Sequence, residues 1–173
     1  MDWSKAKNIL IIALIITNVI LGKTYIDKER DKLDKIYQAT DAAIEYIENR
    51  GVEINCAVPR DVQDVSVLTL RFRDGGEGGL ARTKYKDIPI EIIGLSSSDY
   101  IELIQEKAVT VEILPAYTAL LQSLDDITEY IDDVELIYLV DHTEYFGAGE
   151  DTAFPYWKLS SGDSSYYYAA FSE

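Results

Sequence analysis

The chain opens on an apolar stretch that restricts its fold more than any other segment does. Within residues 9–22 only Thr17 and Asn18 are polar, and lysines stand at both ends. Those fourteen residues are fewer than the roughly 20 that a bilayer requires. Trp3 and Tyr25, however, are placed like interfacial aromatic residues, and the flanking lysines can extend to the headgroups. A tilted span from Trp3 to Tyr25 is therefore predicted.

This stretch has three possible interpretations: a cleaved export signal, a permanent anchor and a buried core helix. A cleaved signal ends in small residues, whereas Ile20, Leu21 and Gly22 offer only one, and no cysteine follows for lipid attachment. A core helix rarely begins at residue 3 with so few polar side chains. We predict an uncleaved anchor, in which Thr17 and Asn18 can hydrogen-bond to a partner helix. The residues predicted to face lipid or a partner helix are Trp3, Ile9, Ile12, Ile16, Thr17, Asn18 and Leu21.

Composition limits the partners of the remaining chain. The 173 residues include 16 Lys and Arg against 31 Asp and Glu, a formal charge of −15. Such a surface repels a phosphate backbone, so nucleic acid is excluded as a partner. Cys56 is the single cysteine, which excludes an intramolecular disulfide and a thiolate metal site. The part after the anchor is long enough for one ordinary domain.

Behind the anchor, the pattern predicts a helix that ends where Arg50 is followed by Gly51. Its apolar residues fall near heptad spacing, so both an amphipathic stalk and a coiled coil are open. A short strand in 52–58, a hairpin in 65–85 around a glycine-rich turn and a strand in 88–94 are expected next. The glycines lack the Lys-Ser/Thr of a phosphate-binding loop.

In the second half, a helix capped by Ser97 or Ser98 is predicted, then a strand in 109–114 and a helix with Pro115 in its first turn. A strand in 134–146 and a hairpin with its turn at 161–163 complete the pattern. The predicted fold class is α+β: an N-terminal transmembrane helix followed by an extracytoplasmic domain of antiparallel β-sheet with packed helices.

No residue pattern indicates catalysis, a cofactor or a metal. His142 is the single histidine and lacks a G-x-S-x-G partner motif, so we expect no enzyme. Acidic clusters after residue 110 match no EF-hand spacing. The aromatic hairpin near the C-terminus suits either a packed core or a partner surface. Its candidate partner residues are Pro155, Tyr156, Trp157, Tyr166 and Tyr168.

Both ends of the chain resemble one family. Met1-Asp2-Trp3-Ser4-Lys5 and the apolar run after it resemble the amino terminus of the YycI family. The closing hairpin is similar as well, through Pro155, Trp157, Lys158, the tyrosines 166–168 and the alanines 169–170. The segments "IENRGVEI" and "ALLQSLDD" to "VELIYLV" are also similar, although the chain is shorter than typical members. In that family, YycI acts with YycH on the WalK sensor histidine kinase of low-GC Gram-positive bacteria.

The resemblance implies a non-catalytic regulator in the cell membrane, with a cytoplasmic N-terminus and a single span. Its implied partners are a WalK-like sensor histidine kinase, a YycH-like protein and the membrane. The expected organisation is a tail and anchor in 1–26, a juxtamembrane helix in 27–51 and an extracytoplasmic α+β domain in 52–173. The alternative is a PepSY-like extracytoplasmic module that binds or inhibits a peptidase or another cell-wall enzyme.

Overall fold

The computed structural model describes residues 3–61, 64–74, 83–93, 99–141 and 149–172; the side chains of 3–13, 73–74, 83, 99–100 and 141 lie outside that description. The glycine-rich turn, the serine cap of the predicted helix and His142 also lie outside it. The chain divides into two compact units, Met1–Ala39 and Thr40–Glu173.

The first helix, α1, runs from Trp3 to Glu48 and supplies most of the first unit. It ends as predicted, because Gly51 takes the left-handed conformation at φ 91° that terminates helices. The Gly51 amide donates to the Glu48 carbonyl at 2.9 Å. Side chains 14–35 are all exposed. Among the described residues, no helix is long and apolar enough to cross a membrane.

The second unit is built mainly on a curled sheet. The described elements after α1 are β1 (Glu53–Ile54), β2 (Val65–Asp74), β3 (Thr83–Tyr85), β4 (Ile88–Ile93), β5 (Asp99–Val111), α2 (Ala116–Gln122), β6 (Tyr130–Ile131), β7 (Asp133–Asp141), β8 (Gly149–Ser161) and β9 (Ser164–Ala169). The main sheet has the order β3-β4-β7-β8-β2-β5, and β9 pairs with the second half of β8. Its pairs are antiparallel except β4 with β7, and β1 pairs with β6 separately in parallel. The architecture is thus α+β.

One end of the sheet interior is covered by helices. Ile47 from α1 and Leu120 from α2 join Trp157 and Leu159 of β8 in one buried cluster. The indole Nε1 of Trp157 donates to the Leu114 carbonyl at 2.8 Å, which satisfies the polar atom of an otherwise apolar side chain. This cluster fixes which face of β8 is the interior.

At the other end the sheet covers itself. A second cluster of buried side chains fills the concave side, and it consists of Leu68, Leu70, Phe72, Ile90, Tyr138, Val140 and Ala153. The terminal strands β3 and β5 approach each other across it: the Tyr85 hydroxyl donates to Glu106 at 3.0 Å, and Lys86 Nζ lies 3.1 Å from the same carboxylate. Side chains therefore close the curl where no backbone pairing is described.

Glu106 is the centre of this closure. Its carboxylate also accepts a hydrogen bond from the Ser66 hydroxyl. The bonds from Ser66, Lys86 and Tyr85 lower the pKa of Glu106 to about 2. The Tyr138 hydroxyl donates to the Ser66 carbonyl at 2.8 Å, and burial raises the pKa of Tyr138 to about 12.

The structure confirms several predicted elements. The strand predicted in 88–94 is β4, the helix after Pro115 is α2, and the predicted run from 134 is β7. The C-terminal hairpin is β8 and β9, with Gly162 and Asp163 in the turn.

Two predicted elements are wrong. The segment expected to form a helix after Ser98 is part of β5, a 13-residue strand. The segments 65–74 and 83–85 do not form a hairpin with each other, because β2 pairs with β5 and β8 while β3 pairs with β4. In both places, pairing with strands distant in sequence overrides the local pattern.

Candidate interaction surface

Strand β8 presents two different faces. Ala153, Trp157 and Leu159 are almost fully buried in the interior, whereas Phe154 is 37% exposed. Tyr156 and Lys158 alternate with the buried residues and therefore share the face of Phe154. Among the described residues, the helix residues that join a buried cluster do so on the interior side of the sheet, and none is found in a cluster on this outer face.

Strand register identifies the neighbours of these side chains. On β7, Ile137 lies opposite Tyr156 and Leu139 lies opposite Phe154. On the other side of β8, Tyr167 of β9 lies opposite Lys158. We call the resulting set the outer patch; its members are Glu91, Leu139, Phe154, Tyr156, Lys158, Tyr167 and Phe171.

Aromatic rings give the outer patch a fixed shape. Phe171 stacks on Phe154 with ring centroids 5.4 Å apart, and it meets Tyr156 edge-on at 6.3 Å. Ile137 is fully buried although it faces this side and belongs to neither interior cluster. The outer patch therefore has a small packed centre of its own.

A shielded ion pair lies within the patch. Lys158 Nζ donates to Glu91, and the Tyr167 hydroxyl donates to the other carboxylate oxygen at 3.0 Å. The side chains of Lys158 and Glu91 are only 12% and 18% exposed. Burial, followed by the bond to Glu91, raises the pKa of the Tyr167 phenol. Since breaking one partner of such a pair leaves a charge poorly solvated, the geometry of the patch is held in place.

The part of the sequence that supplies most of the outer patch is strongly acidic. After residue 110 the sequence contains thirteen acidic residues and one cation, Lys158, which Glu91 neutralises. Half-exposed aromatic rings are typical of protein interfaces. A partner surface that complements this one carries apolar side chains with Lys or Arg around them.

The predicted partner residues fall on both sides of the hairpin. Pro155 and Trp157 are buried on the interior face. Tyr166 and Tyr168 lie opposite Leu159 and Trp157 and pack partly against the same cluster. Tyr156 is the member that faces outward. The buried position of Trp157 supports a role in core packing and not in a partner surface.

Sequence reasoning missed Glu91, Leu139, Lys158 and Phe171 as parts of this surface. Within β8, alternation of apolar and polar residues gave a signal for the two faces. Glu91 reaches Lys158 only through the order of the strands β4, β7 and β8, and no local pattern contains that order.

The predicted anchor residues lie on α1. Ile16 and Leu21 are 53% and 61% exposed, and Thr17 and Asn18 are exposed as well. The side chains of Trp3, Ile9 and Ile12 lie outside the described residues.

Other groups offer little chemistry within the described part of the chain. No three His, Cys, Asp or Glu side chains come together there as metal ligands. Burial, with Asp133 and Asp132 nearby, raises the pKa of the Cys56 thiol and so disfavours the reactive thiolate. An acidic cleft of about 370 Å³ lies beside the β8–β9 turn, but one of its carboxylates serves the fold. Asp126 accepts a hydrogen bond from the Tyr168 hydroxyl.

Comparison with known proteins adds no relative: no family model, no curated protein and no solved structure matches the chain.

Proposed function

We propose that this protein is a non-catalytic, membrane-anchored regulator that acts by contact with another membrane protein. The partner that we propose is a sensor histidine kinase of the WalK type, with a YycH-like protein as a further member of the complex. The outer patch is the observation that carries the contact function, since it combines ordered aromatic rings with a shielded ion pair.

The exposed apolar part of α1 supports the anchor. Six large apolar side chains are between 53% and 65% exposed there, and they are Leu14, Ile15, Ile16, Val19, Ile20 and Leu21. Because successive helical residues are rotated by about 100°, these six surround the helix. A helix that is apolar all round belongs in lipid or in a protein core. The stretch begins in the sequence at residue 9, before the first described side chain, and its first part is argued from sequence alone.

Regulation by contact needs little energy. A kinase that exchanges between an active and an inactive state changes its ratio tenfold when one state is favoured by about 1.4 kcal/mol. Helix contacts through Thr17 and Asn18 in the membrane and ring contacts through the outer patch can each supply a difference of this size. The proposed location is the cell membrane, with the second unit on the extracytoplasmic side.

Site-specific photo-crosslinking tests the proposal. A photoreactive amino acid replaces Tyr156 in the full-length chain in its native cells, and the captured proteins are identified by mass spectrometry. The control replaces Tyr46, a tyrosine on α1 that is 47% exposed and accepts a hydrogen bond from Arg50. We expect a histidine kinase to be captured from position 156 and not from position 46.

Other outcomes separate the alternatives. Capture of a peptidase or a cell-wall hydrolase from position 156 would favour the PepSY-like inhibitor module. Equal capture of the same proteins from both positions would mean that the outer patch is not the contact surface. Kinase autophosphorylation is then measured in the presence of the unchanged chain and of its Phe154→Ala variant. A difference between the two shows that the contact changes the kinase activity.

A further inference from the structure

A heptad pattern runs along α1, through the proposed anchor and on beyond it. Of its eleven core positions, nine are apolar or small, with Glu29 and Thr40 as the exceptions. The a positions are Ile12, Val19, Ile26, Leu33, Thr40 and Ile47, and the d positions are Ile15, Gly22, Glu29, Ile36 and Ala43. A seam of this length is typical of a helix that packs along one line against other structure.

The two ends of the seam differ in burial. In the second unit, Thr40, Ala43 and Ile47 are 0%, 5% and 1% exposed. In the first unit, Ile26 and Leu33 are 64% and 41% exposed. A shallow groove of about 370 Å³ lies along this part of the helix, and it is lined by Tyr25, Ile26, Glu29, Arg30 and Leu33. We call this exposed part, from Ile26 to Leu33, the upper seam. Its apolar side chains are exposed and can contact a partner.

We propose that the upper seam, Ile26 to Leu33, pairs with the same seam of a second copy of this chain in a parallel orientation. The pairing rests on the proposed function, because two copies anchored in one membrane have the same direction and a high local concentration. The exposed seam outside the membrane spans little more than one heptad, which is too short to associate strongly without that anchor.

The flanking residues are complementary in the parallel arrangement. In a parallel pair, the g position of one helix approaches the e position of the next heptad on the other helix. Tyr25 then meets Arg30 of the second copy, and Lys32 meets Tyr37 of the second copy. Both contacts place a cation beside an aromatic ring. The same kind of contact occurs at the end of this helix, where the guanidinium of Arg50, two residues beyond α1, lies 5.1 Å from the ring centroid of Tyr46.

The antiparallel arrangement lacks this complementarity. It brings e to e and g to g, so that Arg30 approaches Arg30 and Lys32 approaches Lys32 of the second copy. The charges at the flanking positions therefore select the parallel orientation.

Glu29 limits the strength of the pair. At a d position, the two Glu29 carboxylates of a parallel dimer lie side by side in the seam. Like charges at that place weaken the association, so the dimer is expected to form and dissociate readily. Replacing Glu29 by leucine should strengthen it by about tenfold, the ratio that corresponds to about 1.4 kcal/mol.

Cysteine crosslinking in isolated membranes tests this pairing with the full chain. The background is Cys56→Ser, and single cysteines are placed on the seam by Ile26→Cys and Leu33→Cys or off the seam by Lys28→Cys and Asp31→Cys. A disulfide needs Cα atoms about 4.4–6.8 Å apart, which only seam positions reach in the proposed dimer. We expect rapid dimer formation at 26 and 33, little at 28 and 31, and more at both seam positions when Glu29→Leu is added.

The remaining outcomes contradict the pairing. Equal crosslinking at all four positions would indicate random collision, and no crosslinking would indicate separate helices. A seam cysteine that crosslinks to another protein would show that a different helix occupies the face. Alkaline extraction of the same membranes tests the anchor separately: a chain that resists extraction but does not crosslink refutes the pairing alone, and a chain that is extracted refutes the anchor.

Discussion

At the scale of single residues, Trp157 and Tyr156 have opposite roles although they are neighbours. The Trp157 ring is 2% exposed and its Nε1 donates to the Leu114 carbonyl at 2.8 Å. We expect Trp157→Phe to lower the free energy of unfolding by about 1–3 kcal/mol, because the carbonyl loses its donor and the smaller ring leaves space. Urea unfolding followed by circular dichroism measures this change.

Tyr156→Phe is the matched control, since it removes one oxygen from a ring on the outer face. Its edge-on contact with Phe171 remains, and a change within about 0.5 kcal/mol is expected. Equal losses for the two variants would contradict the assignment of Trp157 to the interior and Tyr156 to the surface.

Glu106 makes the stability of the folded chain depend on pH. Its pKa is about 2 in the folded chain against an ordinary value of 4.5, so the unfolded chain binds the proton first as the pH falls. The stabilisation is complete above about pH 4.5 and is lost as the pH falls towards 2. Glu106→Gln should therefore be less stable at neutral pH and should lose less stability on acidification. Unfolding midpoints measured from pH 6 to pH 2 test this.

The comparison for Glu106→Gln is Glu45→Gln, which removes an exposed carboxylate from α1. A pH profile that changes as much for this variant as for Glu106→Gln would mean that the closure of the sheet edges is not responsible.

At the scale of elements, a bulge explains why β5 resembles a helix in sequence. Ile101 lies opposite Phe72 and Leu103 lies opposite Arg71, so Glu102 is an extra residue in β5. The bulge turns Ile101 and Ile104 towards the same interior cluster although they are three residues apart. That spacing is the signature of a helix, and the sequence contains nothing that distinguishes the two cases.

Elements with local signals were predictable. The left-handed glycine after α1, the proline before α2 and the turn of the C-terminal hairpin each determine a boundary through their own backbone preferences. The outer patch was only partly predictable, because Glu91 and Lys158 are 67 residues apart and meet through strand order.

The β3–β4 turn carries backbone strain that a substitution can relieve. Lys86 and Asp87 have φ values of 48° and 67°, where glycine is favoured. We expect Asp87→Gly to raise the free energy of unfolding by about 0.5–1 kcal/mol. Gly51→Ala, at φ 91°, should change stability in the opposite direction. Thermal unfolding of the two variants measures both signs, and a destabilised Asp87→Gly would show that the Asp87 side chain contributes more than its strain costs.

At the scale of the whole molecule, the sheet joins segments that are far apart in the chain. Strand β8 pairs with β2 through Leu68 and Ala153, and β5 lies on the other side of β2. Such a sheet cannot be assembled from neighbouring hairpins alone, which is why the class α+β could be predicted and the strand order could not. The final hairpin keeps a local connection, and its two strands were predicted as a pair.

The net charge of −15 should affect the association rate of a partner, whereas the outer patch should affect its dissociation rate. A negative field attracts a basic partner before contact, so the association rate should fall about tenfold when salt is raised from about 50 to about 500 mM. Phe154→Ala removes an apolar contact and should mainly increase the dissociation rate, leaving the salt dependence of association unchanged. Surface plasmon resonance with the captured partner separates the two rates. An association rate that does not respond to salt would show that the acidic surface does not steer the encounter.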